Sequence, residues 1–117
     1  RMTAMDDALS RYDRDDIECD DFARAAAMFA LMGSPVRVQL LWRLAEREHD
    51  VTSLADALGV SVATASHHLG RLRLSGLVSH RADGRRQVYS LDDPHLVHLV
   101  SDGVDHFADL RRRGRRA

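Results

Sequence analysis

VTSLADALGVSVATASHHLGRLRLSGLV, residues 51–78, is the stretch that decides the fold. It reads as two helices with a tight turn between them. Gly59 ends the first, Ser61 caps the second and Gly76 stops it. A serine oxygen can accept an orphan N–H at a helix start, and glycine reaches the left-handed backbone that closes a helix. Thr52 or Ser53 is the expected cap of the first helix. Leu54, Ala57, Leu58, Val60, Ala65, Leu69 and Leu72 make an apolar seam through both. A short helix, a glycine-containing turn and a longer helix form a helix-turn-helix pattern.

Working outward, LVSHRADGRRQVYSL (77–91) alternates on either side of Asp83-Gly84, a strong hairpin turn. A basic hairpin after a helix-turn-helix makes a wing. Upstream, Ser34 and Pro35 form a cap and first-turn pair opening PVRVQLLWRLAERE (35–48). Its Val38, Leu40, Leu41, Leu44 and Ala45 recur at helical spacing. DFARAAAMFALMG (21–33) reads as an alanine-rich helix with a glycine stop. The expected class is therefore mainly α with a small β-hairpin. The expected organisation is an acidic, mobile or partly helical arm (1–20), a winged helix-turn-helix domain (21–112) and a loose basic tail (113–117).

The 117 residues suit one domain. Aromatic side chains make up only 5% of them, and a small domain often completes its burial by pairing with a copy of itself. No run of about 18 apolar residues suggests a membrane span, and no leader pattern is visible. The single cysteine, Cys19, excludes an internal disulfide and a cysteine zinc cage, and fits a reducing cytoplasm. The net charge of −1 is unevenly spread: within 61–90 five arginines face only Asp83. A locally basic face points to nucleic acid, against the plainer reading of a solvated surface.

If the second helix enters a major groove, its exposed N-terminal side chains should be short and polar. Ser61, Ala63, Thr64, Ser66 and His67 fit, followed by Arg71. Hydroxyls and imidazole can meet base edges or phosphates, the helix N-terminus favours phosphate, and Arg71 can reach the backbone. Arg81, Arg85 and Arg86 flank the hairpin tip, placed for a minor groove or phosphate. The simpler alternative makes Ser61 only a cap and Thr64 and Ser66 ordinary solvated positions.

DDPHLVHLVSDGVDHFADL (92–110) holds three histidines and five aspartates. Asp93 reads as an N-cap and Pro94 as the first helical residue. At about 100° per residue, His98, Asp102, Asp105, His106 and Asp109 fall within about 80° of His95. Leu96, Val97, Leu99, Val100, Val104, Phe107 and Leu110 fill the aliphatic face. His95 and His106 stand roughly 16 Å apart along the axis, too far to share one ion within one helix. Two antiparallel copies remove the difficulty: Asp93 and His95 of one chain then meet His106 and Asp109 of the other. A two-fold axis makes two equal N₂O₂ sites, which a tetrahedral Zn(II) accepts. His98 lies out of register, a candidate extra ligand for a metal of higher coordination number, and Asp102 and Asp105 read as solvated.

On these motifs the chain resembles the ArsR/SmtB family of bacterial metal-sensing repressors, over about residues 22–110. The carriers are SPVRVQLLWRL, SVATASHHLGRLRLSGLV, ADGRRQVYSL and D-P-H-(ten residues)-H-F-A-D. The last is similar to the Asp-x-His-x₁₀-His-x₂-(Glu or His) metal site of the zinc-sensing branch. Asp93, His95 and His106 match it, and Asp109 stands where the pattern has Glu or His. The resemblance implies a homodimer through the N-terminal and C-terminal helices that represses when metal-free and releases DNA when metal binds. It also implies a link from the free ring nitrogen of His106 to a backbone carbonyl near Gly76. The family's cysteine site has no counterpart in EHDVTSL (48–54), which argues against sensing arsenic, cadmium or lead there.

The expectation is a cytoplasmic, homodimeric, Zn(II)-responsive repressor of double-stranded operator DNA, with no catalytic residues. A Ni(II) or Co(II) sensor recruiting His98 or arm residues is the first alternative. A metal-independent winged-helix regulator, answering to Cys19 oxidation or another protein, is the second. A small zinc hydrolase fits poorly, since no open metal position or activated base is evident.

Overall fold

The structure, a computed structural model, describes residues 14–116. After a 3₁₀ turn at Arg14–Asp16 come α1 (Cys19–Met32), α2 (Pro35–Glu46), β1 (His49–Asp50), α3 (Val51–Leu58), α4 (Val62–Leu74), β2 (Ser79–Asp83), β3 (Arg86–Ser90) and α5 (Pro94–Arg116). The chain divides into two compact units, residues 1–30 and 31–117.

In the first unit the helix begins at Cys19, two residues before the expected start. The Glu18 N–H donates to Asp21 Oδ2 at 2.9 Å, so a carboxylate three residues on satisfies the entry, and Asp20 and Asp21 suit the positive end of the helix dipole. Phe22 and Phe29 are exposed, and α1 buries none of its residues. Residues 1–13 of the expected arm lie outside the described residues.

The second unit holds the core. Leu40, Leu41 and Leu44 of α2 meet Val51, Leu54 and Ala55 of α3, Ala65, Leu69 and Leu72 of α4, Val88 and Tyr89 of β3, and Leu96 and Val100 of α5. Each fully buried leucine stabilises the fold by about 1.5–3 kcal/mol through removal of its surface from water. The α2 entry is as expected: Ser34 Oγ accepts from the Arg37 N–H and Pro35 takes the first turn.

The α3 cap is neither Thr52 nor Ser53 but Asp50, whose Oδ1 accepts from the Ser53 N–H at 2.7 Å. Starting the helix at Val51 puts Val51, Leu54, Ala55 and Leu58 on one stripe. Ala55 is therefore buried and Ala57, expected in the seam, is exposed. Gly59 has φ +69°, which lets the Val60 N–H reach the Ala55 carbonyl and its own N–H the Asp56 carbonyl. Ser61 then opens α4, and the Leu77 N–H on the Leu72 carbonyl closes it.

The hairpin expected from sequence is part of a three-stranded antiparallel sheet in the order β1-β3-β2. Asp83 pairs with Arg86, so the loop is Gly84-Arg85, one residue later than the expected tip. Gly84 carries φ +62° and Arg85 has no positive φ, which matches a glycine-first two-residue turn. His49 and Asp50, unread as a strand, pair with Tyr89 and Val88.

Helix α5 starts at Pro94 as expected: Asp93 Oδ1 accepts from the His95 N–H at 2.9 Å. It runs on to Arg116, through most of the stretch expected to be a loose tail. Arginine is a good helix former, and Asp109 and Arg112 pair at 2.7 Å across one turn. No single helix among the described residues is long and apolar enough to cross a membrane.

Candidate functional site

The outer face of α4 is made by its own register. Ala65, Leu69 and Leu72 are buried, which turns Ala63, Thr64, Ser66, His67 and Arg71 to solvent. Ser61 is exposed at the entry, and its hydroxyl is engaged locally: Oγ accepts from the Thr64 N–H at 3.0 Å and donates to Thr64 Oγ1 at 2.9 Å. All six candidate contact residues thus share an accessible segment, with Ser61 doubling as its cap.

Next to His67 stands His68, its ring 5.5 Å away edge-on. His68 faces the other way: its Nδ1 accepts from Arg37 Nε at 3.2 Å, and Arg37 Nη1 donates to the Leu31 carbonyl at 2.8 Å. Burial, then the positive charge of Arg37, pushes the His68 imidazole below its ordinary value. This anchor of α4 to α2 was not read from sequence.

The wing arginines are not equivalent. Arg81 Nη2 pairs with Glu48 Oε1 at 2.6 Å and Arg86 Nε with Asp50 Oδ2 at 2.8 Å. Arg85, in the turn, has no carboxylate partner among the described residues. Exposed pairs of this kind are worth about 0–1 kcal/mol, so they position the guanidinium groups without preventing exchange for phosphate. The N–H of Ser53 on its side chain, followed by Arg86, holds Asp50 below the usual carboxylate value. Sequence reasoning placed these arginines beside the tip but missed their carboxylate partners, because Glu48 and Asp50 lie more than thirty residues upstream.

A third array joins helix to wing. Arg73 Nη1 lies 3.3 Å from His80 Nδ1, His80 Nε2 hydrogen-bonds Gln87 Oε1, and the His80 ring tilts against Tyr89 with centroids 5.1 Å apart.

On α5 the histidines and aspartates form an exposed stripe. Asp93, His95, His98, Asp102, Asp105, His106 and Asp109 are all exposed. Asp93 Oδ1 is 3.3 Å from His95 Nδ1, so the N-terminal pair is already together. At the other end, Asp109 is turned to Arg112, and His106 lies edge-on to Phe107 at 4.9 Å. Among the described residues no three histidine, cysteine, aspartate or glutamate side chains converge to hold a metal within one chain. No hydrogen bond from His106 to the Gly76 region occurs among the described residues.

The expected aliphatic face divides. Leu96 and Val100 are buried against α2, whereas Leu99, Phe107 and Leu110 remain exposed, Phe107 by 70%. Beside them lies an open apolar cavity of about 610 Å³ lined by Met32, Pro35, Val38, Trp42 and Val104.

The family described as bacterial regulatory protein, arsR family, matches residues 34–80, from the α2 cap into the wing. The transcriptional regulator KmtR of Mycobacterium tuberculosis is 37% identical over 90 residues, covering 77% of this chain and 69% of KmtR. A transcriptional repressor SmtB homolog of Synechocystis is also 37% identical over 90 residues, 77% of this chain and 68% of its own. A homodimeric winged helix-turn-helix DNA-binding domain from Mycobacterium bovis superposes with a TM-score of 0.68 at 28% identity, over 85% of this chain and 94% of that one. With its helix-turn-helix, its basic wing and this identity along most of its length, the chain belongs to the arsR family of DNA-binding transcriptional regulators, and is not an enzyme.

Proposed function

We propose that this regulator is a Zn(II)-responsive repressor: a homodimer that holds operator DNA without metal and releases it when zinc binds between the α5 helices of two protomers. The observation that carries the reading is the arrangement of α5. It presents two ligand pairs, Asp93/His95 and His106/Asp109, on one exposed face about three turns apart, and among the described residues no group of three histidine, cysteine, aspartate or glutamate side chains forms around either pair.

The donors fit zinc. Two imidazoles and two carboxylates supply a tetrahedral N₂O₂ set, and a site without thiolate suits a borderline metal. Asp93 and His95 of one protomer would hold the ion with His106 and Asp109 of the partner, once Asp109 leaves Arg112. Exposed Leu99, Phe107 and Leu110, with the apolar cavity beside them, give the two copies a surface to bury. The relatives' names support the direction: one similar protein is called a repressor, and another a cadmium resistance regulatory protein.

His106 is the proposed relay. Its ring nitrogen away from the ion would turn to a backbone carbonyl near Gly76, behind the end of α4, and so bias the reading helix. Linkage then requires DNA and metal to weaken each other by the same factor, a coupling typically of about 1–3 kcal/mol.

The test is duplex affinity under buffered zinc, nickel and cobalt, with the operator selected from random sequences. Zinc-driven release that disappears in His106→Ala supports the site; release that persists sinks it. A nickel or cobalt reading draws on one observation, that His98 is exposed one turn from His95. The visible spectrum of the cobalt-loaded dimer separates four ligands from six.

A further inference from the structure

Among the described residues, the polar side-chain link between α4 and the wing runs through one imidazole. We propose that His80 is a positioning residue for DNA binding: a neutral, Nε2-protonated ring that clamps the last turn of α4 to both wing strands. The inference rests on α4 and the wing both meeting DNA.

The tautomer follows from its partners. Arg73 has donors only, so the His80 Nδ1 that faces its Nη1 at 3.3 Å must present a lone pair. The ring proton then sits on Nε2 and is donated to Gln87 Oε1. The tilted stack on Tyr89, with centroids 5.1 Å apart, holds the ring plane between helix and sheet. His80 lies opposite Tyr89 in the β2–β3 register, and Gln87 is opposite Ala82, so the side-chain link crosses the ladder diagonally. One ring therefore touches α4, sits on β2 and bonds β3.

The other side of the wing is held independently. Arg81 reaches Glu48 and Arg86 reaches Asp50. Those pairs set where the wing arginines rest, whereas the His80 clamp sets the angle between the wing and the helix that carries Arg71. Arg73 and Gln87 are exposed and His80 is half-buried, so loss of these side chains spares the buried core, to which Tyr89 belongs, and acts on orientation. Orientation matters because a helix and a wing must meet one duplex together.

The experiment uses the full chain. Long-range proton–nitrogen spectra of the histidine rings at about pH 7.5, with His80 assigned by its loss in His80→Ala, should show Nδ1 bare and Nε2 protonated, with the Nε2 proton slow to exchange. In Gln87→Met that slow exchange should be lost. Affinity for a fluorescein-labelled mixed-sequence duplex of about 30 base pairs should fall about fivefold in either variant, the scale of one lost hydrogen bond. The double variant should be no weaker than His80→Ala, since both changes remove one clamp. The salt dependence should keep its slope, because no phosphate contact is lost. An Nδ1-protonated ring, additive losses, or a slope reduced by about one would each overturn the proposal. If the unaltered chain fails to bind duplex at low salt, the DNA reading of α4 and wing falls with it, whereas binding that the variants leave untouched sinks the clamp alone.

Discussion

Arg37 Nε donates to His68 Nδ1 across 3.2 Å, tying α2 to α4 through a bond that only a neutral imidazole can accept. Burial and the Arg37 charge hold His68 below 6.5, and burial with Arg47 and Arg43 does the same for His49. As pH falls below 6.5, the unfolded chain takes up these protons before the folded one. The stability they contribute is present above that value and is lost as pH drops through the lowered folded values. The thermal midpoint is expected to fall between about pH 7.5 and 5.5. His68→Gln should flatten part of that fall; an unchanged slope assigns the trend to other groups.

Ser61 can be separated into cap and contact. Ser61→Ala removes the acceptor of the Thr64 N–H and is expected to cost about 1 kcal/mol in chemical denaturation. Ser61→Asp restores an acceptor, so stability should return toward the parent value while duplex affinity drops, the new charge facing phosphate. Full affinity in Ser61→Asp would show that the α4 entry does not approach the DNA backbone.

The core makes a steeper demand. Leu69 is fully buried on α4. Leu69→Ala is expected to destabilise by about 2–5 kcal/mol, the transfer loss plus the cavity left behind. A loss under 1 kcal/mol in urea unfolding would mean that the α3–α4 seam is not the principal core.

Among the wing residues, Arg85→Ala should lower duplex affinity and reduce the salt slope by about one, since among the described residues Arg85 has no carboxylate to leave. Arg86→Ala should do the same and also raise the Asp50 carboxyl toward its ordinary value, by removing its guanidinium partner. Carbon-detected titration of Asp50 reads the second effect directly.

The metal response is expected to fade below about pH 6, because imidazole binds an ion only when neutral. Undiminished zinc affinity at pH 5 would contradict a site built on His95 and His106. Asp109→Glu, which adds reach, should hold or improve zinc affinity, whereas Asp109→Ala should weaken it. Competition with a chromophoric chelator measures both.

Much of this molecule is local and therefore readable from its residues. Ser34-Pro35, Gly59, Ser61 and Asp93-Pro94 mark helix ends by chemistry that acts within four residues, and each stands where that chemistry puts it. The division of α5 into an aliphatic face and one of histidines and aspartates follows from its period alone, as does the exposure of Ala63, Thr64, Ser66, His67 and Arg71 once Ala65, Leu69 and Leu72 turn inward.

What the chain order could not decide is what meets across it. Asp50 was not among the expected caps: the burial of Val51 starts the helix earlier than a Thr52 or Ser53 cap would, and the other carboxylate oxygen of Asp50 meets Arg86, thirty-six residues on. The strand at His49–Asp50 exists only because β3 lies beside it; two residues carry no periodicity of their own. Arg37 with His68, and Arg73 with His80 and Gln87, are pairings of polar side chains on different elements, and no spacing rule encodes them. Local steric and capping forces write the elements into the sequence. The contacts that orient α4 and the wing come from packing, which brings distant residues within a hydrogen bond of each other.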